Sequence, residues 1–225
     1  MMNLYPVTIV ENFYEDPDAV RTFALNQKYQ YRHQLKDVPY VFPGARTKDL
    51  SVINKPLFEK VSSKIISLFH NSEHERMRWA ISTNFQSVSE DYGRGVIHTD
   101  GNAVFAAVLY LSPDAPLDSG TSLFKPNKSF DPDAYEKALK QNDKRFAEGT
   151  VKMNTAYHSM FDEIVRINNV YNTLILYEGR HFHAANNFFG QTLKDSRLAQ
   201  VFFVSNIDAQ KYSSFPVWRS QQVKV

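Results

Sequence analysis

From Trp79 onward the chain settles into a two-residue period. Trp79, Ile81, Thr83 and Phe85 fall at every second position, the spacing that turns one face of an extended strand toward a core. The runs VFAAVLYLS, TSLFK, EIVRINN, TLILYEG and RLAQVFFVSN follow, rich in β-branched and aromatic residues and separated by Gly, Pro, Asp and Asn. Many short strands of this kind close into a sandwich or barrel. One polar stretch interrupts them: DPDAYEKALKQNDKRFAEG, Asp131 to Gly149, opens on a cap-like Asp-Pro pair and is filled with charged helix formers. It predicts a helical insertion on the surface of the β core, part of a wider insert near 131–163.

The N-terminal third reads differently. LYPVTIV predicts a first strand, and Asp16 with Pro17 predicts a helix start, since Asp accepts a free amide and Pro tolerates the first helical position. Val20, Phe23, Ala24 and Gln27 then keep helical spacing, as do Leu57, Val61, Ile65, Leu68 and Phe69 behind Pro56. With 225 residues, 43% of them hydrophobic, the expectation is one domain over 1–225, with helical support over 1–75 and a mostly β core over 76–210.

Charge and cysteine content remove several classes of function. The 26 Lys and Arg against 24 Asp and Glu leave a formal charge of +2, so no basic field argues for nucleic acid or an anionic membrane. The absence of cysteine removes disulfides, thiolate metal sites and cysteine nucleophiles together. No leader-like or membrane-length apolar run is seen, and the expectation is a soluble, cytoplasmic protein of unassigned oligomeric state.

The stretch VIHTDGNAVF places His98 and Asp100 two positions apart. On extended backbone both point the same way, so one short segment could offer two metal ligands; the bland alternative is a loop where each makes turn hydrogen bonds. A second segment weighs against the bland reading. The apolar strand TLILYEG ends at Gly179 and is followed by His181 and His183, and Arg197 opens the later strand RLAQVFFVSN.

The ordered series His-x-Asp, His, Arg, each at a strand boundary, resembles the non-haem iron(II), 2-oxoglutarate-dependent dioxygenases, and particularly their prolyl-hydroxylase-like branch. The resemblance runs from about Thr83 to Asn206 and includes VLYLSPDAPLDSGTSLF, similar to the strand, loop and Gly-Thr turn that follow the first ligands there. It implies a double-stranded β-helix, a jelly roll with a helical insertion and helical N-terminal support. It also implies Fe(II) held by His98, Asp100 and His183, 2-oxoglutarate as co-substrate with Arg197 on its distal carboxylate, and dioxygen. The distance from His98 to His183, 85 positions, exceeds the usual one; the insertion and the segment NTAYHSMFDEI account for the excess.

Two imidazoles and one carboxylate on one face of an iron leave three adjacent positions for a bidentate 2-oxo acid and dioxygen. The implied reaction is hydroxylation of a small molecule, peptide or amino-acid side chain with release of succinate and CO2, and a carboxylate at Asp100 favours hydroxylation over halogenation. His183 is preferred to His181 because Ala184 and Ala185 follow it, as small residues follow the distal ligand in similar proteins. His181 is then a rim residue. Tyr92 stands where related enzymes place a tyrosine at the barrel mouth, with packing the alternative, and Arg46 either contacts substrate or is an exposed turn arginine. His33, His70, His74 and His158 are expected in surface or capping roles. The competing class is a metal-binding, cupin-like jelly roll, an isomerase or sugar-binding module, in which nothing requires Arg197.

Overall fold

Each long helix begins on a side-chain cap just ahead of a proline. Asp16 accepts the Ala19 N–H at 2.9 Å before α1 (Pro17–Leu25), and Asp49 accepts the Ser51 N–H before the single turn α2 (Leu50–Ile53). Asn54 then accepts the Leu57 N–H at 3.1 Å before α3 (Lys55–Ser67), and Asp131 accepts two amides before α4 (Pro132–Ala147). These caps satisfy donors that the first helical turn leaves open. The computed structural model describes residues 7–35, 42–68 and 77–209; Phe69, His70 and His74 lie outside the described residues. Helix α1 ends at Leu25, so Gln27 does not pack but closes the helix, its amide donating to the Phe23 carbonyl at 2.9 Å.

The strands are β1 (Val7–Val10), β2 (Gln30–Tyr31), β3 (Ala45–Arg46), β4 (Met77–Val88), β5 (Phe105–Tyr110), β6 (Thr121–Pro126), β7 (Phe161–Ile167), β8 (Leu174–Glu178), β9 (Phe182–Ala185) and β10 (Arg197–Ala209). They form two antiparallel sheets, a larger one in the order β1-β8-β5-β10-β4-β3-β2 and a smaller one in the order β7-β6-β9. A backbone bridge from His98 to His183 attaches the link between β4 and β5 to the smaller sheet. The chain therefore passes repeatedly from one sheet to the other, the winding of a jelly roll. The N-terminal third does more than support it: β1 pairs with β8 at one edge, and β2 and β3 continue the sheet beyond β4 at the other.

Strand alternation divides the larger sheet into two faces. On β10, Leu198, Phe202 and Val204 pack with Val20, Ala24, Leu50, Val61 and Ile65 of the helices, each buried Val, Leu, Ile or Phe stabilising by roughly 1.5–3 kcal/mol. Gln200 shares that buried face and is satisfied on both sides: the Tyr14 hydroxyl donates to its Oε1 at 2.7 Å and its Nε2 donates to Thr83 Oγ1 at 3.0 Å. Arg197, Val201 and Phe203, on the opposite face, line a cavity of about 810 Å³.

The insertion lies on the surface, as expected, and packs one face of its helix against the core. In α4, Ala138, Asn142 and Phe146 are buried. Ala138 joins Ile97, Phe124, Tyr157, Phe161 and Ala184 in one apolar cluster, and Phe146 joins Val88, Tyr92, Met153 and Phe188 in another. Asn142 exchanges two hydrogen bonds with the backbone of Asn154, tying the helix to the return segment.

Candidate metal centre

His183 faces inward because its neighbours face out. In β9, Phe182 and Ala184 enter the apolar cluster under α4, so His183 between them turns to the interior, level with Leu123 of β6. His98 is brought opposite it by two backbone hydrogen bonds, His98 N–H to the His183 carbonyl at 3.1 Å and His183 N–H to the His98 carbonyl at 2.9 Å. Asp100 follows in a turn, its N–H donating to the Gly179 carbonyl at 2.7 Å. A Cβ at Gly179 would overlap the Ala103 carbonyl oxygen and crowd that of Asp100, so this close approach requires glycine.

One ligand atom each from His98, Asp100 and His183 lie within 4.8 Å of one another. Asp100 is 3.6 Å from His98 Nε2 through Oδ1 and 3.3 Å from His183 Nε2 through Oδ2. Both imidazoles are oriented in the same way. His98 Nδ1 lies 2.9 Å from the Val96 carbonyl and His183 Nδ1 lies 2.9 Å from the His181 carbonyl; each Nδ1 donates there, leaving the Nε2 lone pair for a cation. Burial works against the Asp100 carboxylate, but His183 and His98 outweigh it and hold the group well below the usual carboxylate range. Burial likewise disfavours charged His98, yet Asp100 and the Val96 carbonyl raise its pKa on balance. The donor set of two nitrogens and one carboxylate fits a divalent iron with adjacent positions left open.

Arg197 lines the same cavity, 5% exposed. Its Nε donates to the Ser119 carbonyl at 2.9 Å, and its guanidinium lies over the rings of Tyr110 at 5.4 Å and Phe188 at 5.9 Å. Burial lowers its pKa, with Tyr110 and Tyr177 partly restoring it. Among the described residues no carboxylate lies within ion-pair distance of Arg197. A buried cation without a protein counter-charge is costly unless an anion completes it.

The other expected positions separate. His181 sits in the turn before β9, with Nε2 3.7 Å from Glu178, and is not one of the three converging residues. Tyr92 is buried beneath α4 against Phe146 and Phe188, the surroundings of the packing alternative, and is not among the residues that line the cavity. His33 stacks on Tyr31. His158 is held near the insertion, where burial and then Arg94 push its pKa down to about 4. Sequence reasoning missed Tyr177, whose ring lies 4.6 Å from that of His183, and Tyr110, whose hydroxyl donates to Thr121 Oγ1 at 2.9 Å. A hydroxyl-bearing aromatic on the inward register of an otherwise aliphatic strand was the available signal.

The insertion also reaches the segment that carries His98. Tyr157 Oη accepts the Ile97 N–H at 2.9 Å, and both Tyr157 and Tyr135 donate toward the Ile97 carbonyl at 3.3 Å. Ile97 is fully buried and immediately precedes His98. Tyr157→Phe leaves the Ile97 amide without its partner, so it is expected to cost about 1–3 kcal/mol in chemical denaturation. It should also weaken metal binding in calorimetric titration. Tyr135→Phe, which leaves Tyr157 in place, is expected to cost less.

No curated protein matches the chain. Three solved structures have similar folds: HygX from Streptomyces hygroscopicus with nickel and 2-oxoglutarate bound (10% identity, covering 89% of this chain and 83% of that one, TM-score 0.53); an oxidoreductase of the 2OG-Fe(II) oxygenase family from Burkholderia pseudomallei (12%, 88% and 84%, TM-score 0.50); and the epimerase SnoN in complex with Fe3+, alpha ketoglutarate and nogalamycin RO (11%, 91% and 81%, TM-score 0.50). At such identities the likeness is one of fold, and that fold is the jelly roll on which those proteins are built. The family model DUF6445, described as a family of unknown function, matches residues 2–196, and the chain belongs to that family.

Proposed function

We propose that this protein is an Fe(II)- and 2-oxoglutarate-dependent dioxygenase that hydroxylates a small molecule or a peptide or amino-acid side chain. The observation that carries the reading is Arg197, a buried guanidinium that finds no carboxylate among the described residues and faces the cavity that holds His98, Asp100 and His183. A planar fork in a dry pocket suits the distal carboxylate of 2-oxoglutarate. A cupin-like binding module gives no reason for such a cation. When bound to the triad, iron supplies adjacent open positions where a 2-oxo acid and dioxygen can meet. The net reaction takes substrate, dioxygen and 2-oxoglutarate to hydroxylated substrate, succinate and CO2.

The protein's own residues do the positioning. Asp100, held ionised, and the two imidazoles, held with Nε2 inward, present three donors; Arg197, with Tyr110 and Tyr177 beside it, orients the co-substrate; Leu139 and Phe146 of α4 line the cavity on the insertion side. The Gly120–Thr121 turn after β5 supports the prolyl-hydroxylase-like branch, and HygX, solved with nickel, 2-oxoglutarate and hygromycin B bound, supports room for a non-peptide substrate. A cytoplasmic setting is part of the proposal, and the absence of cysteine is compatible with a reducing compartment. The test is turnover without a primary substrate: purified protein with Fe(II), ascorbate and 2-oxoglutarate in air should slowly form succinate, and chelation should stop it. Absence of both succinate formation and 2-oxoglutarate binding would refute the proposal.

A further inference from the structure

Helix α4 carries one carboxylate on its cavity side. Ala138, Asn142 and Phe146 form the buried line of the helix, and Leu139 and Asp143 run beside it, one turn apart, along the cavity. The solvated face is laced with ion pairs at i,i+4 spacing, Glu136 with Lys140 at 2.7 Å and Lys144 with Glu148 at 3.8 Å. Asp143 stands off that ladder. Among the described residues no cation comes within ion-pair distance of it. Nor does it serve the start of the helix, as Asp131 and Asp133 do; it stands toward the C-terminal end, where the dipole does not favour an acid.

The carboxylate shares the cavity with the metal centre. Asp143 is solvent-accessible there; partial burial raises its pKa, while the charges of Arg32 and of His98 in the triad lower it. The other two carboxylates that line the cavity are engaged: Asp100 belongs to the triad, and Asp49 caps α2 and accepts the Thr83 N–H at 2.9 Å. The cations that line it, Arg46, Lys48 and Arg197, come from β3, the link behind β3, and β10. Of these, Arg46 lies over the Phe42 ring at 4.5 Å and the Phe203 ring at 5.5 Å and donates to Gln86 Oε1 at 3.3 Å. On the insertion side Asp143 is the one charged residue among those that line the cavity. A carboxylate so placed is an acceptor for a ligand cation, and hydrogen bonds between two charged groups are the strong ones.

We infer that Asp143 of the insertion receives a positively charged amino group of the primary substrate, which makes that substrate a small amine rather than a neutral sugar or a lipid chain. The inference rests on the oxygenase reading of the same cavity. Leu139 and Phe146, about one helical turn to either side of the carboxylate, suit the hydrocarbon part of such an amine. The cavity volume of about 810 Å³ is that of a small-molecule site.

The test uses protein loaded with Co(II) and 2-oxoglutarate, titrated calorimetrically with a library of small amines, the free L-amino acids included, each beside the alcohol of the same carbon skeleton. At least one amine should bind, with its alcohol about tenfold weaker. Asp143→Asn, which keeps the shape and removes the charge, should bring that amine to the level of its alcohol and leave the alcohol, Co(II) and 2-oxoglutarate unaffected. Asp143→Glu should recover part of the difference. Added salt should weaken the amine in the wild type and not in Asp143→Asn. Melting temperatures establish that both variants fold. Amine binding that survives unchanged in Asp143→Asn would overturn the inference, as would alcohols binding as well as amines or a library in which no amine binds. So would loss of 2-oxoglutarate affinity in Asp143→Asn, which would give the carboxylate a part in holding the co-substrate. Each of these leaves the oxygenase reading standing. Failure of the wild type to bind Co(II) or 2-oxoglutarate would instead take down that reading, and the inference with it.

Discussion

Replacing His98 with Ala is expected to abolish binding of Fe(II), Mn(II) or Co(II) at the triad. Residues that merely orient a metal ligand are worth roughly ten- to a hundredfold in affinity, so loss of the ligand itself should exceed a hundredfold. His183→Ala should match it, since His183 stands 3.3 Å from Asp100 and shares the backbone bridge with His98. His181→Ala should cost far less. What His181 gives to the centre is its main-chain carbonyl, which holds His183 Nδ1 and survives the substitution. Affinity in the wild type should fall on acidification as protons compete with the metal for His98, and because the pKa of His98 is raised the loss should begin above the ordinary imidazole range. Equal losses at 181 and 183 would reject the choice between them, and unaltered binding in His98→Ala would remove the triad altogether.

Arg197→Ala should leave metal binding intact and weaken 2-oxoglutarate by about 2–5 kcal/mol, because the distal carboxylate would be stranded in the pocket. That corresponds to roughly thirtyfold to several thousandfold in Kd. Pyruvate, which keeps the chelating end and lacks the distal carboxylate, should bind weakly to the wild type and respond little to the substitution. In the wild type, 2-oxoglutarate should raise the melting temperature only when metal is present, since both contacts stabilise the same folded state. An unchanged 2-oxoglutarate affinity in the variant would end the assignment of Arg197 and bring the cupin-like reading forward.

The jelly roll was legible because its strands carry the two-residue period on at least one face: Thr83 and Phe85, or Leu198, Phe202 and Val204, announce the side that meets the helices. Strands β2 and β3 span two residues each and offer no period to read. The short strand β9 was hidden for another reason. Its outward residues, Phe182 and Ala184, face the insertion rather than solvent, so no polar alternation marks them. The triad was legible through residue type and order, although ring orientation was not, because it depends on carbonyls two residues back. Tyr92 shows the limit of placing a residue by its distance from a motif: its surroundings come from Phe146 and Phe188, both remote in sequence.

An ion held by His98 and His183 would also act as a staple, joining two points 85 positions apart in the chain. Closing a loop of that length in a disordered chain costs about 4 kcal/mol of entropy, so an unfolded chain should hold the ion poorly and loading should favour the folded form. The dependence on length is logarithmic. Removing about 30 residues of insertion from the loop would change the closure cost by only about 0.4 kcal/mol. Chain statistics thus allow the insertion to lengthen or shrink at little expense; the constraints on it are local, the packing of Ala138 and Phe146 and the hydroxyl of Tyr157 at the backbone of Ile97.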